Sequence, residues 1–130
     1  MTEDSPVRLY AIRVEAVARF EPEQSSPEDS RYIFSYQITI HNAGEVKAQL
    51  LSRHWYITDA NGTVEEVEGE GVIGEQPSLR PGESFEYSSG CSLNTPFGSM
   101  HGSYHMLAED GTEFDAEIPE FFLVGPRTLH

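Results

Sequence analysis

This sequence predicts an all-β chain, an immunoglobulin-like or fibronectin type III-like antiparallel β-sandwich of about seven strands. Three observations carry that expectation. Apolar residues recur at every second position in several long segments, the period that places successive side chains on opposite faces of a strand. Clusters of Asn, Asp, Gly and Pro separate those segments, as tight turns require. No stretch keeps a helical apolar period beyond a turn or two. Turn-separated strands in a chain of 130 residues indicate two packed sheets.

The elements follow in order. Tyr10, Ile12, Val14, Ala16, Ala18 and Phe20 share one parity against Arg13, Glu15 and Arg19, which describes a strand with one buried face. EPEQSSPEDS is an acidic, Pro- and Ser-rich surface loop. Tyr32, Phe34, Tyr36, Ile38 and Ile40 then repeat the pattern against Arg31, Ser35, Gln37, Thr39 and His41. After a turn at His41 to Gly44, a third strand is expected from Val46 to Thr58, with Leu51, Trp55 and Ile57 on one face. Asp59-Ala60-Asn61-Gly62 closes a hairpin; it lacks the leading Asp and downstream Glu of a calcium loop. Pro81-Gly82 suits a type II turn leading into a strand with Phe85, Tyr87, Cys91 and Leu93 on one parity. The last two strands carry Met100, Gly102, Tyr104 and Met106, then Phe114, Ala116 and Ile118, joined at Asp110-Gly111.

Size and charge bound the function. The length suits one domain over residues 1–130, with a core from about 7 to 124 and a short C-terminal tail. A formal charge of −14 argues against nucleic acid and acidic membrane surfaces, which bind clustered cations. The N-terminal MTEDSPVRLY has no basic region followed by an apolar one, and no apolar run approaches the length of a spanning helix. The expected location is the cytoplasm. Cys91 is the sole cysteine, which excludes an intramolecular disulfide.

Gly69, Gly71 and Gly74 form GxGxxG within VEGEGVIGEQP, the spacing that brings a pyrophosphate to a helix N-terminus when a strand precedes and a helix follows. Pro77 disfavours helical geometry at Gln76, so the helix is not expected. Glu65, Glu66, Glu68, Glu70 and Glu75 surround the glycines, and each carboxylate about 6 Å from a phosphate costs roughly 0.7 to 3 kcal/mol. Positive φ and close backbone approach in a bulged loop account for the glycines equally well.

The remaining suggestions are weaker. His101 and His105, with HxxxH spacing, lie roughly 13 Å apart on a strand and share one metal only if a bulge, for which Gly102 is the candidate, intervenes. Cys91 falls on the apolar parity and reads as a buried small hydrophobe. His54 stands opposite Trp55 in parity and reads as structural. Arg53 breaks its local rule by sharing parity with Trp55 and Ile57, which makes it the leading candidate for anchoring an anion; a salt bridge or a stem over Trp55 is the plainer alternative. No constellation forms an active site, so no enzyme activity, catalytic residue, metal or cofactor is expected.

The stretches QLLSRHWYITDANG, VEGEGVIGEQPSLRPGESFEYSSG and LNTPFGSMHGSYHM, in that order, resemble the ApaG family from about Val7 to Leu129-His130. The resemblance implies a small fibronectin type III-like sandwich. It implies a glycine motif at Gly69, Gly71 and Gly74 and an RHW motif at Arg53, His54 and Trp55. At Glu68 the family often carries a neutral or basic residue, and at Phe122 an arginine. Similar domains in a eukaryotic F-box protein and in a protein that interacts with a DNA polymerase imply protein recognition. The family is also associated with diadenosine tetraphosphate hydrolysis, cobalt tolerance, magnesium efflux and pyrophosphate binding.

The expectation is therefore a non-enzymatic interaction module that recruits a protein partner or pairs with a second copy as a homodimer. The alternative is pyrophosphate or dinucleoside polyphosphate binding at Gly69 to Gly74 with Arg53 or Arg80, assisted by Mg²⁺.

Overall fold

The computed structural model describes residues 8–126, so Val7 and the C-terminal Leu129-His130 lie outside the described residues. Eight strands form: β1 (Ile12–Phe20), β2 (Tyr32–Asn42), β3 (Ala48–Asp59), β4 (Val64–Glu70), β5 (Ser78–Leu79), β6 (Ser84–Leu93), β7 (Phe97–Ala108) and β8 (Glu113–Val124). One sheet runs β1-β2-β6 and the other β4-β3-β7-β8, with the short β5 also on β3. Every pairing is antiparallel. The two-sheet sandwich expected from alternation is the observed architecture. Among the described residues, no helix is long and apolar enough to cross a membrane.

The inner faces carry the predicted parities. Phe34, Ile38 and Ile40 of β2 are fully buried against Tyr104, Met106 and Ile118 of the other sheet. Each such large apolar side chain contributes about 1.5 to 3 kcal/mol by leaving water. Trp55 stands edge-on to Tyr104 and Phe121, with ring centroids at 6.4 and 5.9 Å.

Two departures from local alternation shape β3 and β4. The acidic segment Val64–Glu70, which is not among the strands expected from alternation, is a strand and takes in Gly69 of the expected bulged loop. Its carboxylates occupy both faces, so it has no apolar stripe; as an edge strand it is held by its ladder to β3, from Ser52↔Glu70 to Thr58↔Val64. The second departure is a bulge in β3: Leu50 pairs with Met106 and Ser52 with His105, which leaves Leu51 as the extra residue. One extra residue inverts the parity. Ala48 and Leu50 therefore fill the core before the bulge, and Trp55 and Ile57 fill it afterwards, while Leu51 is only half-buried.

The connections follow their turn chemistry. Gly62, Gly82 and Gly111 all have φ between 86° and 90°, as the predicted turns need. Asn42, at the end of β2, is 1% exposed and ties three segments. Its Nδ2 donates to the Val46 and Leu79 carbonyls at 2.9 and 2.8 Å, and its Oδ1 accepts from the Gly44 amide at 2.8 Å.

Candidate functional site

The glycine motif begins in a strand and ends in a two-residue turn, with no helix after it. Gly69 lies within β4, and Val72 and Glu75 exchange both backbone hydrogen bonds at 2.8 and 2.9 Å around Ile73 and Gly74. Both central residues have positive φ, 42° and 81°, the type I′ pattern that matches strand twist. Gly71 also has positive φ, and a Cβ there would lie 2.3 Å from the Glu75 carbonyl oxygen. The Gly71 amide donates to the Leu51 carbonyl at 2.8 Å, and Gln76 Nε2 donates to the same oxygen at 2.9 Å. The hairpin thus covers the β3 bulge.

Arg53 completes this unit. Its Nη1 donates to the carbonyls of Glu70 and Gly71 at 3.0 and 2.8 Å. Among the described residues no carboxylate lies within 4.0 Å of it. The side chain lines a cavity of about 160 Å³ between the sheets, with Tyr36, Tyr87, Ser89 and Ile73. Burial raises the Tyr36 hydroxyl pKa and pushes that of Tyr87 up to about 12, and Arg53 lowers both. Arg80 is exposed at the turn before β6 and does not line this cavity.

The outer face of the larger sheet holds a second arrangement. His54 faces Glu68 on β4 and Ser103 on β7, and the neighbouring row joins Glu70, Ser52, His105 and Asp115. These residues line a groove of about 420 Å³. His54 Nε2 lies 2.9 Å from Glu66 Oε1, and its Nδ1 lies 3.6 Å from Glu68 Oε2. His105 is bracketed similarly, with Nδ1 at 2.8 Å from Asp115 and Nε2 at 2.7 Å from Glu113. Both of its nitrogens face carboxylates, a geometry that the doubly protonated ring satisfies. Hydrogen bonds that the ring donates to Asp115 and then to Glu113 raise the His105 pKa.

His101 shares this face with His105 and stacks on Tyr56 at 5.0 Å. The irregularity between Met100 and Gly102 affects the β8 pairing and leaves the β3 register continuous, so the two histidines stay in separate rows. Cys91 is half-buried, its Sγ 3.9 Å from Met100 Sδ. Burial, and then Glu65, push its thiol up to about 11.

The sequence singles out Arg53 and the glycines but does not show Tyr36, Tyr87 and Ser89 as neighbours of Arg53, or Glu66 and Glu68 as neighbours of His54. The DANG turn held a usable signal for the last two. Continuing β3 through that hairpin places alternate glutamates beside His54. No comparable local signal points across the sandwich from Arg53 to Tyr36 and Tyr87.

Comparison with known proteins gives a consistent result. The ApaG domain family matches residues 22–108. The chain is 61% identical over 126 residues to Protein ApaG of Dechloromonas aromatica, covering 97% of this chain and 99% of that one. It is 63% identical over 121 residues to Protein ApaG of Aromatoleum aromaticum, covering 93% and 95% respectively. The crystal structure of the putative ApaA protein from Bordetella pertussis superposes with a TM-score of 0.90 at 50% identity, covering 95% of this chain and all of that one.

Proposed function

Since the chain belongs to the ApaG family, we propose that it is a non-enzymatic interaction module that binds another protein. The observation that carries this reading is an apolar cluster on the outer face of β7 and β8. Phe97 pairs with Val124, Ser99 pairs with Phe122, and Phe97, Phe122 and Val124 are 56%, 66% and 54% exposed. Large side chains grouped in water at a sheet edge are the anchor type that protein interfaces bury. The high pKa of Cys91 supports the same reading, because a nucleophilic thiol needs an accessible thiolate. The partner is a soluble protein in the cytoplasm, or a second copy of the chain.

Sedimentation equilibrium of the chain alone tests the homodimer. Affinity capture with Phe122→Ser as the paired bait, followed by reconstitution with purified partner, tests the heteromeric form. Binding that persists unchanged with Phe122→Ser removes this surface, and a saturable turnover of a small molecule by pure protein removes the non-enzymatic reading.

One observation favours a second reading, in which pyrophosphate or a dinucleoside polyphosphate binds beside Gly69, Gly71 and Gly74. Arg53 is a half-buried cation without a carboxylate partner among the described residues, and it faces a cavity with two phenols and a serine. The surrounding glutamates oppose an anion, so Mg²⁺ would accompany it. An amide NMR titration with pyrophosphate, with and without Mg²⁺, tests this. Localised saturable shifts abolished by Arg53→Ala support it, and unchanged spectra at millimolar ligand remove it.

A further inference from the structure

We propose that His54, Glu66 and Glu68 form a binding site for a divalent transition-metal ion of the zinc class. The proposal is independent of the interaction reading above. Among the described residues, this is the one group of three whose donor atoms all lie within 4.8 Å of one another.

The site arises from strand register. Alternation on β3 turns His54 outward, the hairpin at Asp59 to Gly62 fixes β4 alongside, and the pairing of His54 with Glu68 and Tyr56 with Glu66 brings both carboxylates to the ring. His54 also stacks on Tyr56 with centroids 4.6 Å apart and planes 17° from parallel. That contact sets the plane in which the imidazole can offer a lone pair.

Donors around a zinc-class ion sit about 2.0 to 2.2 Å from it, and so roughly 3 to 3.6 Å from each other. The separations of 2.9 Å from Nε2 to Glu66 and 3.6 Å from Nδ1 to Glu68 are close to this spacing. One donor atom from each residue lies within 4.8 Å of the other two, and closing both carboxylates on a single nitrogen requires one of these exposed side chains to turn. Two carboxylates and a neutral imidazole balance a dication, and the open side toward the groove leaves room for water. Mixed nitrogen and oxygen donors suit zinc-class ions, whereas Mg²⁺ and Ca²⁺ take oxygen.

The same face supplies an internal control. His105, Asp115 and Glu113 form a similar donor set, again with one carboxylate at each ring nitrogen, at 2.8 and 2.7 Å. This trio does not meet the mutual 4.8 Å spacing. Composition and charge density are nearly matched, so a difference between the two trios reports geometry and not general acidity.

Calorimetric titration of the tag-free full chain with Zn²⁺, with the histidine rings followed by NMR, tests the proposal. One saturable equivalent is expected, shifting His54 and the amides of Glu66 and Glu68 and persisting in excess Mg²⁺. His54→Gln and Glu68→Gln should each weaken binding tenfold or more, and His105→Gln by less than about twofold. All three side chains are exposed or half-buried, and thermal melts check that each variant stays folded. No saturation at millimolar Zn²⁺ overturns the site, as does an equal loss in His105→Gln and His54→Gln. Displacement by Mg²⁺ at equal concentration would reduce the effect to screening by carboxylates.

Discussion

Gly69 and Arg53 face each other across the β3–β4 ladder, and a Cβ on Gly69 would lie 2.7 Å from Arg53 Nη2. The absence of one methyl group from an edge strand therefore gives the guanidinium its place. From there it reaches the carbonyls of Glu70 and Gly71 and holds the turn that follows.

Gly69 and Gly71 should respond differently to substitution. At Gly69 the obstructing atoms are the far end of a flexible side chain, so Gly69→Ala should cost less than about 1 kcal/mol while displacing Arg53. At Gly71 the obstruction is backbone and φ is 63°, so Gly71→Val should cost about 2 kcal/mol or more. Urea denaturation distinguishes them, and equal midpoints would contradict this account.

Ile73 holds φ at 42° while 58% exposed, an unfavourable setting for a β-branched side chain. Ile73→Asn supplies the residue that a type I′ turn prefers and should stabilise the fold by about 1 kcal/mol. A melting temperature unchanged or lowered by the substitution would show that Ile73 makes compensating contacts.

Asn42→Leu should destabilise by about 2 to 4 kcal/mol, because it strands two carbonyls and an amide in a buried corner. A loss under 1 kcal/mol in denaturant titration would mean that water replaces the side chain.

For His105 the folded-state pKa is raised, first by Asp115 and then by Glu113. The contribution of the imidazolium to stability is therefore complete below the unfolded histidine value, about pH 6.5, and is lost as pH rises through the higher folded value. Solvent screening keeps the effect small. An NMR titration should find the His105 midpoint above 6.5 and falling toward it in Asp115→Asn; an unmoved midpoint would refute the assignment.

Cys91 should react with Ellman's reagent slowly. With its pKa near 11 against an ordinary 9.0, the folded protein at pH 7.5 holds about a hundredfold less thiolate than the unfolded chain. Equal rates in buffer and in denaturant would exclude this environment.

Much of the fold is legible locally. The buried parities of β1, β2 and β6 stand in the sequence as alternating apolar residues, and Gly62, Gly82 and Gly111 mark the turns that lead into β4, β6 and β8. Arg53 was identifiable as a residue out of pattern, though its partners were not. β4 escaped because edge pairing, rather than an apolar stripe, holds it; Leu51 was misplaced because a bulge shifts parity without leaving a compositional trace.

By itself the sequence determined the fold class, because side-chain alternation and turn residues are short-range properties of the chain. Only the tertiary structure decided that Arg53 meets Tyr36 and Tyr87 and that His54 stands between Glu66 and Glu68. Those meetings depend on register and on the packing of distant strands. A one-residue bulge changes both, and no local pattern encodes it.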